Sequence, residues 1–176
     1  MTLIPWYVGL PTSSQIDLGS LGLLTFDAAR AIEIETDGLV RRFGLGGALD
    51  LASGVYIWLS ESAQVLLIAD AHGANVVRVS LNCPTPTIVS VRSDPRLEPG
   101  DMLTEFIETE LGPLLVYELG VVAFSADGVV RWTAKHATLG CEFIGVRDEL
   151  VCFENIVFGS WGYRLDTGEC VGRKPS

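Results

Sequence analysis

Val121-Val122-Ala123-Phe124-Ser125, then Ala126-Asp127-Gly128, then Val129-Val130-Arg131-Trp132-Thr133: two short runs of β-branched and aromatic residues flank an Asp-Gly turn. Asp-Gly supplies the positive φ values that a tight turn between antiparallel strands needs, so this stretch predicts a β-hairpin. Toward the C-terminus the same grammar repeats. Glu142–Val146 leads through Arg147-Asp148-Glu149 to Leu150–Phe153, and a further strand is expected at Ile156-Val157-Phe158, passing through Gly159 to Trp161–Leu165. The sequence then turns through Asp166-Thr167-Gly168 into Glu169-Cys170-Val171.

Toward the N-terminus, isoleucines and glutamates alternate in Ala31-Ile32-Glu33-Ile34-Glu35, which puts them on opposite faces of a strand, and Asp37-Gly38 turns the chain into Leu39–Phe43. Gly44-Leu45-Gly46-Gly47 is too rich in glycine to continue a strand. Val55–Leu59 and Val65–Ala69 are apolar runs of strand length, and Val65–Asp70 is expected to pair with Asn75–Leu81. Pro84 and Pro86 each remove a backbone donor before Thr87–Val91 starts another run. Asp101–Leu111 is open to two readings, since Leu103, Phe106, Ile107 and Leu111 fit a helical stripe while Leu103, Ile107 and Leu111 share one strand face; the hairpins around it favour strand.

These readings predict an all-β protein of antiparallel hairpins or meanders, arranged as a small propeller-like or stacked-sheet (sandwich) domain. Residues 1–20 read as a lead-in interrupted by Pro5, Gly9, Pro11 and Gly19, with order expected from docking of Trp6 and Tyr7. Residues 21–172 read as a single β domain and 173–176 as a polar tail. At 176 residues, with 48% hydrophobic and 19% charged, the chain is long enough to bury a core without metal or disulfide staples.

An Asp leading into a turn that ends near glycine recurs at Asp70, Asp127 and Asp166, with a degenerate copy at Asp27, at intervals of 43, 57 and 39 residues. Phe124–Trp132 and Leu165-Asp166-Thr167-Gly168-Glu169 resemble hairpins of PQQ-like β-propeller blades. The resemblance covers about a quarter of the chain and implies blade-like sheets. The chain is too short for that family's larger ring, and no cofactor-site residues carry over, so no cofactor is expected.

A mean hydropathy of +0.37 raises the question of a membrane span, yet no apolar run approaches the roughly 18 residues one requires. The N-terminus lacks the pattern of a secretory signal, so a cytoplasmic setting is expected. The four cysteines, at 83, 141, 152 and 170, form no CxxC pair and are expected as buried free thiols.

The formal net charge of −10 repels phosphate backbones and anionic lipid, which weighs against nucleic acid or membranes as partners. Charge concentrates between Asp94 and Glu118, where seven acids accompany one base, Arg96. Glu105, Glu108, Glu110 and Glu118, interleaved with Phe106, form the candidate binding surface, because carboxylates around apolar anchors suit a basic protein partner. The same residues would also serve as an ordinary solvated edge. Trp161, between Ser160 and Gly162, is expected to be partly exposed and joins the candidate set, whereas Trp58 and Trp132 are expected in the core.

Catalytic signatures are missing from the sequence: there is no Walker loop, dinucleotide fingerprint, GxSxG elbow or HExxH. Asp70-Ala71-His72 holds two metal-ligand types at alternate positions, but a metal site needs a third and a fourth, so it reads as a turn. A non-enzymatic protein-binding domain is the leading expectation, in the manner of a bacterial immunity protein or antitoxin against a basic toxin. The alternative is a small-ligand-binding or hydrolytic β-domain using Cys141, His136 and a nearby carboxylate.

Overall fold

The computed structural model describes residues 2–7, 15–27, 31–45, 48–49, 54–70, 75–83, 85–90, 104–117, 119–136 and 140–172. The chain divides into two compact units, Met1–Gly100 and Asp101–Ser176, so the boundary falls inside the 21–172 span. Both are all-β. Among the described residues the one helical element is a 3-10 turn at Gly19–Leu21, and no helix is long and apolar enough to cross a membrane.

The first unit contains β1 (Thr2–Tyr7), β2 (Gln15–Asp17), β3 (Leu23–Asp27), β4 (Ala31–Thr36), β5 (Leu39–Gly44), β6 (Val55–Ser60), β7 (Val65–Asp70), β8 (Asn75–Ser80) and β9 (Thr87–Ser90). One sheet has the order β2-β3-β4-β5 and the other β1-β6-β7-β8-β9, all antiparallel. The stretch read as a lead-in therefore supplies two strands, because the edges of β3 and β6 offer unpaired backbone groups that β2 and β1 satisfy. Trp6 and Tyr7 lie on β1, but their side chains are outside the described residues.

Alternation decides the packing. Ile32 and Ile34 turn inward while Glu35 faces solvent, and Ile57, Ile68 and Val77 meet in register across three strands of the second sheet. Ile16, Leu24, Phe26 and Phe43 complete this core. Every residue of β7 is buried, in keeping with the unbroken apolar run Val65–Ala69. The Asp37-Gly38 turn takes the left-handed conformation expected of it.

The second unit contains β10 (Thr104–Ile107), β11 (Leu114–Tyr117), β12 (Gly120–Phe124), β13 (Val130–Lys135), β14 (Glu142–Arg147), β15 (Leu150–Asn155), β16 (Gly159–Arg164) and β17 (Cys170–Gly172). Each sheet is a four-stranded up-and-down meander, β10-β11-β12-β13 and β14-β15-β16-β17. The strand reading of the 101–111 segment holds at Thr104–Ile107; Asp101, Met102 and Leu103 lie outside the described residues. Leu114, Val116, Val121 and Ala123 from one sheet share a core with Val151, Phe153, Trp161 and Tyr163 from the other. The architecture is thus the stacked-sheet one, built as two sheets per unit.

Two expectations need correction. Ile156-Val157-Phe158 is not a strand: β15 ends at Asn155, β16 begins at Gly159, and the three apolar residues form the turn between them. Asn155 causes this, because its side-chain oxygen accepts the N–H groups of Val157 (2.9 Å) and Phe158 (3.3 Å), drawing the backbone out of the ladder. The thiols are free as expected but not uniformly buried, since Cys83 and Cys170 are exposed and Cys141 and Cys152 half-buried. Cys83 follows β8 in a turn and Cys170 opens the edge strand β17, so neither has a sheet over it. A maleimide reagent should therefore label Cys83 and Cys170 well before Cys141 and Cys152, a pattern that mass spectrometry of peptides resolves; equal rates at all four would contradict these burial states.

Candidate functional site

The candidate residues on β10 point in different directions. Strand alternation sends Phe106 inward, where it packs edge-on against Phe124 with ring centroids 6.5 Å apart, and leaves Glu105 exposed on the opposite face. Phe106 is thus a core residue rather than a surface anchor. Trp161 is likewise buried, at 4% exposure, and stacks on Phe153 at 5.8 Å. It is buried because register with Phe153 puts it on the core face of its sheet. Glu118 lies outside the described residues.

Glu108 and Glu110 fare differently. Past the end of β10 the chain turns through Thr109, whose hydroxyl donates to the Gly112 carbonyl (2.6 Å) and accepts from the N–H of Leu111 (3.3 Å). This turn forms one wall of an open cleft of about 480 Å³. A second wall is the β14–β15 turn, Val146-Arg147-Asp148-Glu149, and a third is Leu165-Asp166 after β16. Glu108, Glu110, Asp148, Glu149 and Asp166 thereby converge from three turns, against Arg147 alone.

Nearby arginines are committed to holding these walls in place. Arg131 on β13 donates through its guanidinium to the carbonyls of Leu111 (3.3 Å), Leu165 (3.3 Å) and Asp166 (2.9 Å), so one side chain ties the first wall to the third. Trp132 beside it donates its indole N–H to the Leu165 carbonyl (3.1 Å). Gly168 lies so close to this indole that a Cβ there would sit 2.7 Å from ring carbons, which only glycine permits. Arg164 pairs with Asp166 at 3.2 Å; that hydrogen bond holds the Asp166 carboxyl below its usual range and the Arg164 guanidinium above its own. Glu108, Glu110, Asp148 and Glu149 have no ion pair among the described residues.

Two backbone features shape the cleft. Gly112 has φ +114°, and a Cβ added there would lie 2.4 Å from the Phe124 carbonyl oxygen. Gly112→Ala is expected to destabilise the second unit by about 3 kcal/mol, the combined effect of a disallowed φ and a backbone clash. A urea midpoint unchanged from wild type would refute that packing. Asp148 and Glu149 both sit in the left-handed region, at φ 48° and 63°, where Asn-Gly is the usual pair. Glu149→Gly should relieve about 1 kcal/mol of this strain and raise the thermal midpoint, while removing a carboxylate from the cleft; a lowered midpoint would argue against the strain.

Among the described residues no group of three His, Cys, Asp or Glu side chains is placed to hold a metal ion. Asp70 is buried, and His72 lies outside the described residues. At the other end of the unit, His136 is enclosed by the rings of Phe153 (5.0 Å), Trp161 (5.4 Å) and Tyr163 (6.4 Å), with Nδ1 at 3.4 Å from the Tyr163 hydroxyl. Cys141 has the Asn155 amide nitrogen 3.9 Å from its sulfur. The thiol thus has an amide, not a carboxylate, for this neighbour, and the imidazole is shut off from solvent by aromatic carbon.

Of the residues lining this cleft, the sequence reading names Glu108 and Glu110 as candidates but takes Asp148, Glu149 and Asp166 only as turn formers. The available signal was that both later turns are acidic; nothing local said that they open at the same end of the unit. No protein-family model matches the chain, and a search of curated proteins also returns no match.

Proposed function

We propose that the protein is a non-enzymatic binding module whose acidic cleft receives a basic segment of another protein, as a cytoplasmic immunity protein or antitoxin would receive a basic toxin. The observation that carries this reading is the convergence of Glu108, Glu110, Asp148 and Glu149 on one open cleft without an ion pair among the described residues. A cleft lined by carboxylates favours the entry of a lysine or arginine over that of an anion. The net charge of −10 adds long-range steering of a cationic partner. Arg131 keeps the walls fixed, so little ordering is needed on binding.

The test is a pull-down from the native organism with wild type beside Glu108→Gln/Glu110→Gln/Asp148→Asn/Glu149→Gln, followed by titration of the captured protein. A basic partner bound by wild type should bind the variant about 100-fold more weakly, with a shallower dependence on salt. Equal affinity for both proteins would end the cleft reading.

A further inference from the structure

The β15–β16 turn presents Ile156 at 99%, Val157 at 75% and Phe158 at 43% exposure, three successive apolar side chains at the tip of a hairpin. Scattered apolar residues are ordinary on a protein surface, but a contiguous run at a projecting tip marks a contact site. The tip is also preorganised. Asn155 is buried beneath it, accepts the N–H groups of Val157 and Phe158, and is itself fixed by donating to the Gly140 carbonyl at 3.0 Å.

The neighbouring charges give the chemistry of the occupant. Glu142 and Glu154 are exposed and directly opposite each other in the β14–β15 register, one residue back from the turn's Asn155, and neither has an ion pair among the described residues. Like charges in register oppose sheet pairing, and a cation from outside relieves the opposition. An anionic lipid surface would be repelled by the same two carboxylates. A second copy meeting tip to tip would bring four of them together.

We infer that this turn is a docking anchor for a partner protein with an apolar recess rimmed by lysine or arginine, the apolar tip entering the recess and Glu142 and Glu154 meeting the rim. The anchor lies at the opposite end of β15 and β16 from the acidic cleft and depends on none of its residues. Such an arrangement is that of an interface hot spot, a desolvated apolar centre with charge at its border.

The experiment places a photoreactive p-benzoylphenylalanine at Val157 of the full chain in its native organism. It is run in the wild-type background, in Ile156→Ser/Phe158→Ser and in Glu142→Lys/Glu154→Lys, with far-UV circular dichroism confirming that each folds. The expected result is one adduct with another protein, mapped to a peptide with apolar residues beside lysine or arginine, its yield falling at least tenfold in both variant backgrounds. The cleft variant described above serves as a separate control: retention of the adduct there shows that the anchor works independently of the cleft. An adduct with lipid, an adduct with a second copy, a protein adduct whose yield survives the charge reversal, or no adduct at all would each overturn the inference.

Discussion

Replacing Phe153 with alanine is expected to destabilise the second unit by about 4 kcal/mol, enough to remove much of the stability of a typical small domain. Phe153 is 1% exposed and is the point where the two sheets of that unit meet. Its ring contacts Trp161, Tyr163, Phe143 and His136 at centroid separations of 5.8, 6.0, 5.7 and 5.0 Å, so alanine would leave a cavity lined by four rings. Flat rings fixed by strands cannot collapse into that space, which places the cost toward the upper end for such a change. Urea unfolding followed by tryptophan fluorescence reads the effect, since Trp161 is stacked on the lost ring. Phe153→Leu should lose far less, about 1.5 kcal/mol. A loss under about 1 kcal/mol for the alanine variant would mean that the sheets do not depend on this contact.

Alkaline pH should destabilise the same unit through two buried phenols. Burial pushes the Tyr117 pKa up to about 12, with the Tyr163 charge adding to the effect, and burial pushes Tyr163 up to about 12 as well. Among the described residues the Tyr117 hydroxyl has no hydrogen-bond partner, so a phenolate formed in place would be buried without a donor to stabilise it. In the unfolded chain both phenols ionise near pH 10, so above that pH the unfolded state sheds protons that the folded state keeps. Stability is therefore full below pH 10 and falls as pH rises toward 12, by about 3 kcal/mol from Tyr117 alone. Urea midpoints at about pH 8 and about pH 11 measure the loss. Tyr117→Phe should abolish that share of it while leaving stability near neutral pH unchanged or slightly higher, because the hydroxyl removed was unpartnered. An equal alkaline loss in that variant would assign the effect to other groups.

Both predictions rest on features only partly legible in the sequence. The Val121–Thr133 hairpin, the Asp37-Gly38 turn and the alternating strand at Ala31–Glu35 were readable because each depends on neighbours within a few residues. The Ile156–Phe158 turn was misread for the converse reason. Its β-branched and aromatic residues have strand propensity, and the side chain of Asn155 overrides that propensity with two local hydrogen bonds that become decisive only because Gly140, distant in sequence, fixes the amide. Trp161 was misjudged because its small flanking residues suggested exposure, whereas register with Phe153 determines which face it occupies.

The sequence by itself determined the all-β class, the antiparallel hairpins and the acidic character, because period-two alternation, turn chemistry and net charge are local or additive properties. Tertiary structure alone decided which carboxylates line one cleft. Glu108 and Glu110 meet Asp148, Glu149 and Asp166 only because two separate meanders bury a common core, which aligns three turns at one end of the unit, and Arg131 bridges the carbonyls of two of them. Strand direction and sheet packing are long-range outcomes of burial, and the spacing of acidic residues along the chain carries no record of them.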